Sequence, residues 1–374
     1  MKIALHLQAA VTQQAGVGRY TKELAKHLLD LLDDHTQLRL DYFDFRRNAQ
    51  IPPELHEHPS LHPIRYMPGA LAQKTWNYFG FPPYDVLHGK ADLYHFPNFL
   101  APPCKTGKRI VTIHDLSFMR FPEYTEAKNL RFLTKGIHRT AQQADAIMTI
   151  SKFSAQEVIN LLHVPEQRVF TTHLGVSPSF IKPSADYMDA FRARHNISRP
   201  YLLTVGTVEP RKNLPFLISL FEKMKDYDGD LIIAGGLGWR YEPILQQMQA
   251  SPRAKQIRRI GYMPEADLTA LYAGADAFVL PSHYEGFGLP PLESMACQTP
   301  VVTSNGGSLP EVVQDGAIVL DHFDPDAWEQ TLYRILSDRT EREALIQRGL
   351  QVAGQYSWEQ TAKQTLAVYR KVLS

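Results

Sequence analysis

Short apolar, β-prone runs alternate along this chain with longer amphipathic stretches, and the alternation happens twice. The first series of runs covers residues 2–7, 38–43, 92–96, 109–113 and 146–150. The second begins after residue 200 and covers 201–205, 230–234, 256–260, 275–280, 300–303 and 317–320. Each run has strand length and the stretches between them are helix-like, so the pattern predicts an α/β protein with parallel sheets covered on both faces, in two successive domains. Between the two series, residues 175–200 are rich in turn formers around one short polar helix and are expected to be the interdomain linker. A closing helix is expected after Ser357, its candidate cap, and is expected to return to the first domain. The expected division is therefore 1–177, 178–355 and 356–374. The length of 374 residues agrees with two domains rather than one core.

Composition narrows the function classes. Forty basic against thirty-nine acidic side chains leave a net charge of +1, which argues against a nucleic-acid binder that relies on bulk electrostatics, so any anion site must be local. Cys104 and Cys297 lie far apart, in what are expected to be different domains, and form neither a disulfide framework nor a CxxC metal site; a reducing, cytoplasmic setting is expected. The chain enters its first strand without the apolar stretch and cleavage site of a signal peptide, and no run of about 18 apolar residues occurs. Membrane contact is expected to be peripheral.

In open parallel sheets, ligands bind beyond the carboxyl ends of the strands, so the loops that follow strands carry the candidate chemistry. The most informative is 285–293, where Glu285 and Glu293 flank a turn of Gly286, Phe287, Gly288 and Leu289 that leads through two prolines into a helix. Glycines let backbone approach a ligand, and a helix start attracts phosphate, which suits a phosphorylated sugar donor. Glu285 is then placed to accept sugar hydroxyls and Glu293 ribose hydroxyls. Soon after the strand that ends at Val205 and Gly206 comes Glu-Pro-Arg-Lys-Asn-Leu at 209–214, with Asn213 expected to cap a helix. A guanidinium fork at Arg211 and an ammonium at Lys212 beside a helix start form a diphosphate clamp.

Three further loops belong to the first domain. Ala15-Gly16-Val17-Gly18-Arg19-Tyr20 opens a helix, although Thr21 occupies the position of the third glycine and the dinucleotide fingerprint fails. His114 follows the strand 109–113, where its charge state is tunable near neutrality. Ser151, after another strand, reads as a ligand contact or as a helix cap. Gly235, Gly236 and Gly238 follow a strand and either line a cleft or turn the chain. The acidic patterns at 226–230 and 324–326 are rejected as metal sites: the first precedes its strand, and the second reads as a helix start with Asp324 as cap. No P-loop, zinc-ligand pair or nucleophile elbow is present.

Together these residues resemble the retaining glycosyltransferases of family 4 (glycosyl transferases group 1), which include sucrose synthase-like enzymes and bacterial lipopolysaccharide and exopolysaccharide mannosyltransferases. The resemblance spans essentially the whole chain and rests on Glu285 to Glu293, on residues 209–214, on His114-Asp115-Leu116-Ser117-Phe118 and, more weakly, on 16–19. It implies the GT-B architecture, two Rossmann-like doubly wound domains facing across a cleft, with the acceptor on the N-terminal domain and the nucleotide sugar on the C-terminal one. Carried over by position, it makes Arg211 and Lys212 the diphosphate clamp, with the Leu289 amide a further phosphate donor. Glu293 becomes the ribose holder, Glu285 with the Phe287 and Gly288 backbone the sugar binder, and His114 a group at the reaction centre. Tyr262 and Met263 are implied as base contacts. The donor implied is GDP-mannose, with GDP-rhamnose or UDP-glucose as alternatives, and the acceptor a saccharide or polyprenyl-diphosphate-linked saccharide. No metal and no other cofactor is expected. The aromatic stretch 76–84 is expected either to touch a lipid-linked acceptor at the cytoplasmic face of the inner membrane or to be core. A sugar-nucleotide 2-epimerase and a non-catalytic sugar-nucleotide sensor remain the rival functions.

Overall fold

A computed structural model describes residues 1–13 and 16–374, without the side chains of Ala127 and Lys128. The described residues divide into two compact units: 1–119, 127–175 and 358–374 form the first, and 120–126 with 176–357 the second.

The first unit is built on seven parallel strands, β1 (Lys2–His6), β2 (Gln37–Phe43), β3 (Leu61–Ile64), β4 (Leu93–Phe96), β5 (Lys108–Ile113), β6 (Ala146–Thr149) and β7 (Val169–Thr171), in the order β3-β2-β1-β4-β5-β6-β7. All five strands predicted here are present. The two that were not, β3 and β7, are the outermost. Pro63 interrupts the β-prone pattern of β3, and an edge is where a strand tolerates a residue with no N–H. At three residues, β7 is too short to show a period.

The second unit contains β8 (Tyr201–Val205), β9 (Asp230–Ala234), β10 (Ile257–Ile260), β11 (Ala277–Leu280), β12 (Val301–Ser304) and β13 (Ile318–Leu320), in the order β10-β9-β8-β11-β12-β13. All six were predicted. The inner strands β9, β11 and β12 are buried along their whole length, as expected for a parallel sheet covered on both faces, whereas edge strand β10 carries Arg258 and Arg259. Each order reverses direction once, between β1 and β4 and between β8 and β11, and the loops leaving those strands are where such sheets bind ligands.

Each unit has its own core. In the first, Trp76, Tyr84, Tyr94, Phe96 and Ile137 are buried together, and in the second Phe221, Trp328, Leu231 and Val279. The closing helix Trp358–Leu373 belongs to the first unit, where Tyr369 Oη bonds His95 Nδ1 at 2.6 Å and Thr361 Oγ1 donates to the His173 carbonyl at 2.7 Å.

Of residues 175–200, expected to be the interdomain linker, 176–200 pack as part of the second unit, to which the expected division assigns 178 onward. The helix Ala185–Arg194 buries Phe191 fully, and Tyr187 Oη, Arg194 Nη2 and His195 Nε2 all meet the Asp267 carboxylate at 3.0, 2.6 and 3.1 Å. Polar side chains that read as linker composition are here partners of a single half-buried acid. Among the described residues, no helix is long and apolar enough to cross a membrane.

Candidate active site

Two neighbouring strands of the second sheet, β8 and β11, deliver the predicted clamp and the predicted acid to the same place. After β8 the chain makes a one-turn 3-10 helix, Pro210–Lys212, rather than entering a capped α-helix directly. Asn213 then adopts a left-handed conformation (φ 50°, ψ 39°) and makes no side-chain cap, a geometry that asparagine tolerates better than most residues. The tight turn directs Arg211 and Lys212 back over the strand ends. Lys212 Nζ donates to Glu285 Oε1 at 2.6 Å, and Arg211 Nη1 donates to Oε2 at 2.9 Å and to the Tyr284 carbonyl at 2.7 Å. Gly206 makes room for this: a Cβ there would lie 3.0 Å from Lys212 Cε.

Glu285 is 7 % exposed. Burial by itself would raise its pKa, but the charges of Lys212 and then Arg211, with hydrogen bonds from Lys212 and Ser282, outweigh it and hold the carboxyl at about 2. Ser282 Oγ adds a third hydrogen bond to Oε1 at 2.6 Å. A carboxylate has about four acceptor positions, so three are occupied by the protein and about one is left for a donor from a ligand. Arg211 is itself shared, since its Nη2 and Nε also reach Glu209 Oε1 at 2.6 and 3.0 Å.

The turn after Glu285 leads into the helix Leu289–Ala296, whose N-cap Gly288 (φ 120°) supplies no side-chain cap. Pro290 and Pro291 carry no N–H, so Leu289 is the sole amide donor among the first three helical residues, directed to the sheet end where Glu285 lies. Gly286 and Phe287 are buried within the turn. Glu293, one helical turn on, is also buried and accepts a hydrogen bond from Tyr272 Oη at 2.8 Å.

Sequence reasoning missed the loop that holds this turn in place. Ser308 Oγ donates to the carbonyls of Glu285 and Phe287 at 3.0 and 2.8 Å, Ser308 N–H donates to the Glu285 carbonyl at 3.0 Å, and Glu285 N–H reaches Gly306. A signal was present. Asn305-Gly306-Gly307-Ser308 is a glycine pair directly after a strand, the position already used to find the other loops.

Two other expectations in this unit fare differently. Tyr262 is 61 % exposed and accessible to a ligand, but Met263 is buried and faces the core. Asp324 caps the helix Pro325–Ser337 by accepting from the Asp326 amide, as its rejection as a metal ligand required.

In the first unit, Ala15 lies outside the described residues. Gly16 is exposed at the start of the helix Val17–Asp30, and Arg19 is half-buried on its first turn. Gly18 serves packing: a Cβ there would sit 2.0 Å from the Gln13 carbonyl oxygen. His114 is buried, with the Tyr20 ring edge-on at 4.9 Å. Burial lowers its pKa, although the bond to Pro97 opposes this. With Nε2 2.9 Å from the Pro97 carbonyl and donating to it, Nδ1 is the ring nitrogen left to meet a ligand. Of the two readings of Ser151, the structure supports the helix cap: its hydroxyl is buried and accepts from the Ser154 amide at 3.0 Å at the start of the helix Lys152–Leu162.

Comparison with known proteins fits this geometry. Residues 15–180 match the model of Glycosyltransferase Family 4, and residues 188–352 that of Glycosyl transferases group 1. Over 282 residues the chain is 39 % identical to the O-antigen chain mannosyltransferase B of Escherichia coli, which covers 74 % of each protein. The chain belongs to the family 4 glycosyltransferases. Solved structures show the same GT-B fold across the whole length of this glycosyltransferase: sucrose-phosphate synthase from Thermosynechococcus elongatus has a TM-score of 0.76 at 20 % identity, covering 100 % of this chain and 99 % of that one. Anabaena Alr3699/HepE, solved in complex with UDP-glucose, has a TM-score of 0.73 at 16 % identity and covers 99 % and 100 %. Arg211, Lys212, Glu285 and Glu293 therefore stand in a glycosyltransferase's C-terminal Rossmann-like unit.

Proposed function

We propose that this enzyme transfers mannose from GDP-mannose, with retention of configuration and without a metal, to a saccharide or polyprenyl-diphosphate-linked saccharide during cell-surface polysaccharide synthesis. One observation carries the reading: two cations, Arg211 and Lys212, are fixed on one buried carboxylate beside a helix start whose first amide belongs to Leu289. Breaking the bond from sugar to phosphate places negative charge on the departing nucleoside diphosphate. Preorganised cations and an amide stabilise that charge without having to reorganise during the reaction. The similarity to an O-antigen mannosyltransferase supports mannose as the sugar.

In this reading Arg211 and Lys212 hold the diphosphate and the free acceptor position of Glu285 takes a sugar hydroxyl. Glu293, oriented by Tyr272, takes the ribose. The developing positive charge at the anomeric carbon is met by front-face attack of the acceptor, assisted by the leaving phosphate, with no protein nucleophile. Tyr78, Phe79 and Phe81, exposed by 82, 80 and 63 %, form the surface that meets the cytoplasmic face of the inner membrane, where a lipid-linked acceptor resides.

The test is product analysis with GDP-mannose, GDP-rhamnose and UDP-glucose, with and without acceptor. The expected outcome is an α-mannosylated acceptor from GDP-α-mannose alone. Release of an altered sugar nucleotide without acceptor points to an epimerase, and binding without turnover to a sensor; either contradicts the proposal.

A further inference from the structure

One corner of the first sheet gathers imidazoles around a single carboxylate. The register of the parallel ladder pairs His6 with Asp41 and Asp41 with His62, so the three side chains leave the same face in one row across β1, β2 and β3. His88, the last residue of the helix Tyr84–His88, closes over the row with its ring stacked on Tyr84 at 4.0 Å. Asp41 lies fully buried at the centre. Arg39 holds both of its oxygens, Nε to Oδ1 at 2.7 Å and Nη2 to Oδ2 at 3.0 Å, while His62 Nδ1 is 2.9 Å from Oδ1 and Tyr84 Oη donates to Oδ2 at 3.2 Å.

His88 is the anomaly. Its side chain has no solvent exposure, its Nδ1 is 3.8 Å from Asp41 Oδ2, and neither ring nitrogen has a hydrogen-bond partner. A neutral imidazole always carries one N–H and one lone pair, and leaving both unmet in the interior is costly. Stacking on Tyr84 fixes the ring but satisfies neither nitrogen.

The geometry points to a divalent-cation site of the zinc class formed by Asp41, His62 and His88. One ligand atom from each residue lies within 4.8 Å of the others. Bonds of about 2.0–2.2 Å in a tetrahedral site set ligand atoms roughly 3.3 Å apart, so small side-chain rotations close the set. The ion takes the place of the proton between His62 Nδ1 and Asp41 Oδ1, and His62 moves its proton to Nε2. Two imidazoles and a carboxylate favour zinc, cobalt or nickel over magnesium or calcium, and three protein ligands leave a fourth position for water. Arg39 then plays the outer partner that fixes the carboxylate's orientation. His62 is 40 % exposed in its side chain and provides the entry path. The ion would staple β2, β3 and the helix Tyr84–His88. None of the three ligands has a role in the proposed transfer reaction, so the two readings stand or fall separately.

The experiment uses the full chain, freed of metal by a chelator and titrated with Zn²⁺ and with Co²⁺ at neutral pH. Close to one equivalent of zinc is expected to remain after gel filtration, with a raised Tm and, for cobalt, the visible absorption of a low-coordinate centre. His62→Gln, a change at a half-exposed side chain, is expected to keep the fold, weaken zinc binding at least about tenfold and remove the rise in Tm. His88→Gln is expected to do the same. Retention of less than about a tenth of an equivalent by the wild type overturns the site. So does undiminished zinc binding by His62→Gln, which would place the metal on other histidines of the fifteen.

Discussion

Arg211 and Lys212 are neighbours in sequence but differ in exposure, 20 % against 9 % for the side chains, and this separates the consequences of removing them. Arg211→Ala is expected to lower kcat by about 10²–10³-fold, the usual cost of one fixed donor to a developing charge, and to lower Tm less than Lys212→Ala does, because its more exposed site lets water replace part of the lost contact to Glu285. Lys212→Ala is expected to lower kcat and also to cost about 3 kcal/mol or more of stability, because it strips the closest cation from a buried carboxylate. Steady-state kinetics beside thermal melts distinguish the two variants. Glu285 makes a pH prediction. Its folded pKa of about 2 lies below the ordinary 4.5, so its ion pairs stabilise the fold fully above about pH 4.5, and that stability is lost as pH falls toward 2. Urea midpoints measured across that window should fall steeply for the wild type and less steeply for Glu285→Gln, whose amide does not titrate; equal slopes would contradict the assignment. All three residues were legible in the sequence because each follows a strand run, and the carboxyl edge of a parallel sheet is where such residues converge. Their mutual ion pairing was not legible, since it depends on β8 lying beside β11.

At the scale of elements, interior strands announced themselves because a strand buried on both faces must be apolar throughout, whereas β3 and β7 escaped notice as edge strands, one broken by Pro63 and the other only three residues long. The helix Gly69–Phe79 shows how an aromatic stretch divides its duties. Trp76 points inward, 3 % exposed, and its Nε1 donates to the Pro82 carbonyl at 2.6 Å, while Tyr78 and Phe79 point outward. Sequence composition gave the aromatics without the division, because adjacent residues on a helix face different sides. Trp76→Ala is therefore expected to destabilise the protein by about 3–5 kcal/mol, read as a lowered denaturation midpoint. The double change Tyr78→Ser, Phe79→Ser should leave Tm within a few degrees of the wild type and reduce sedimentation with anionic lipid vesicles. Undiminished vesicle binding would remove the membrane role from this surface.

For the whole molecule, the two series of runs became two Rossmann-like units with separate cores, and the family match spans both. The units differ in how much of their chemistry was readable. In the second, a short sequence motif and a turn geometry coincide, so the candidate site could be drawn before the fold was known. In the first, His114 was legible from its place after β5, but Ser151 was not separable from a helix cap by sequence, and the row of His6, Asp41 and His62 required the strand register. Everything proposed about the reaction depends on Arg211 and Lys212 meeting a diphosphate. Calorimetric titration of GDP and of guanosine into wild-type and Arg211→Ala protein tests this most directly. The account predicts that the substitution weakens GDP at least about tenfold, the loss of one charge-assisted contact, and leaves guanosine unchanged; equal affinity of both proteins for GDP would contradict it.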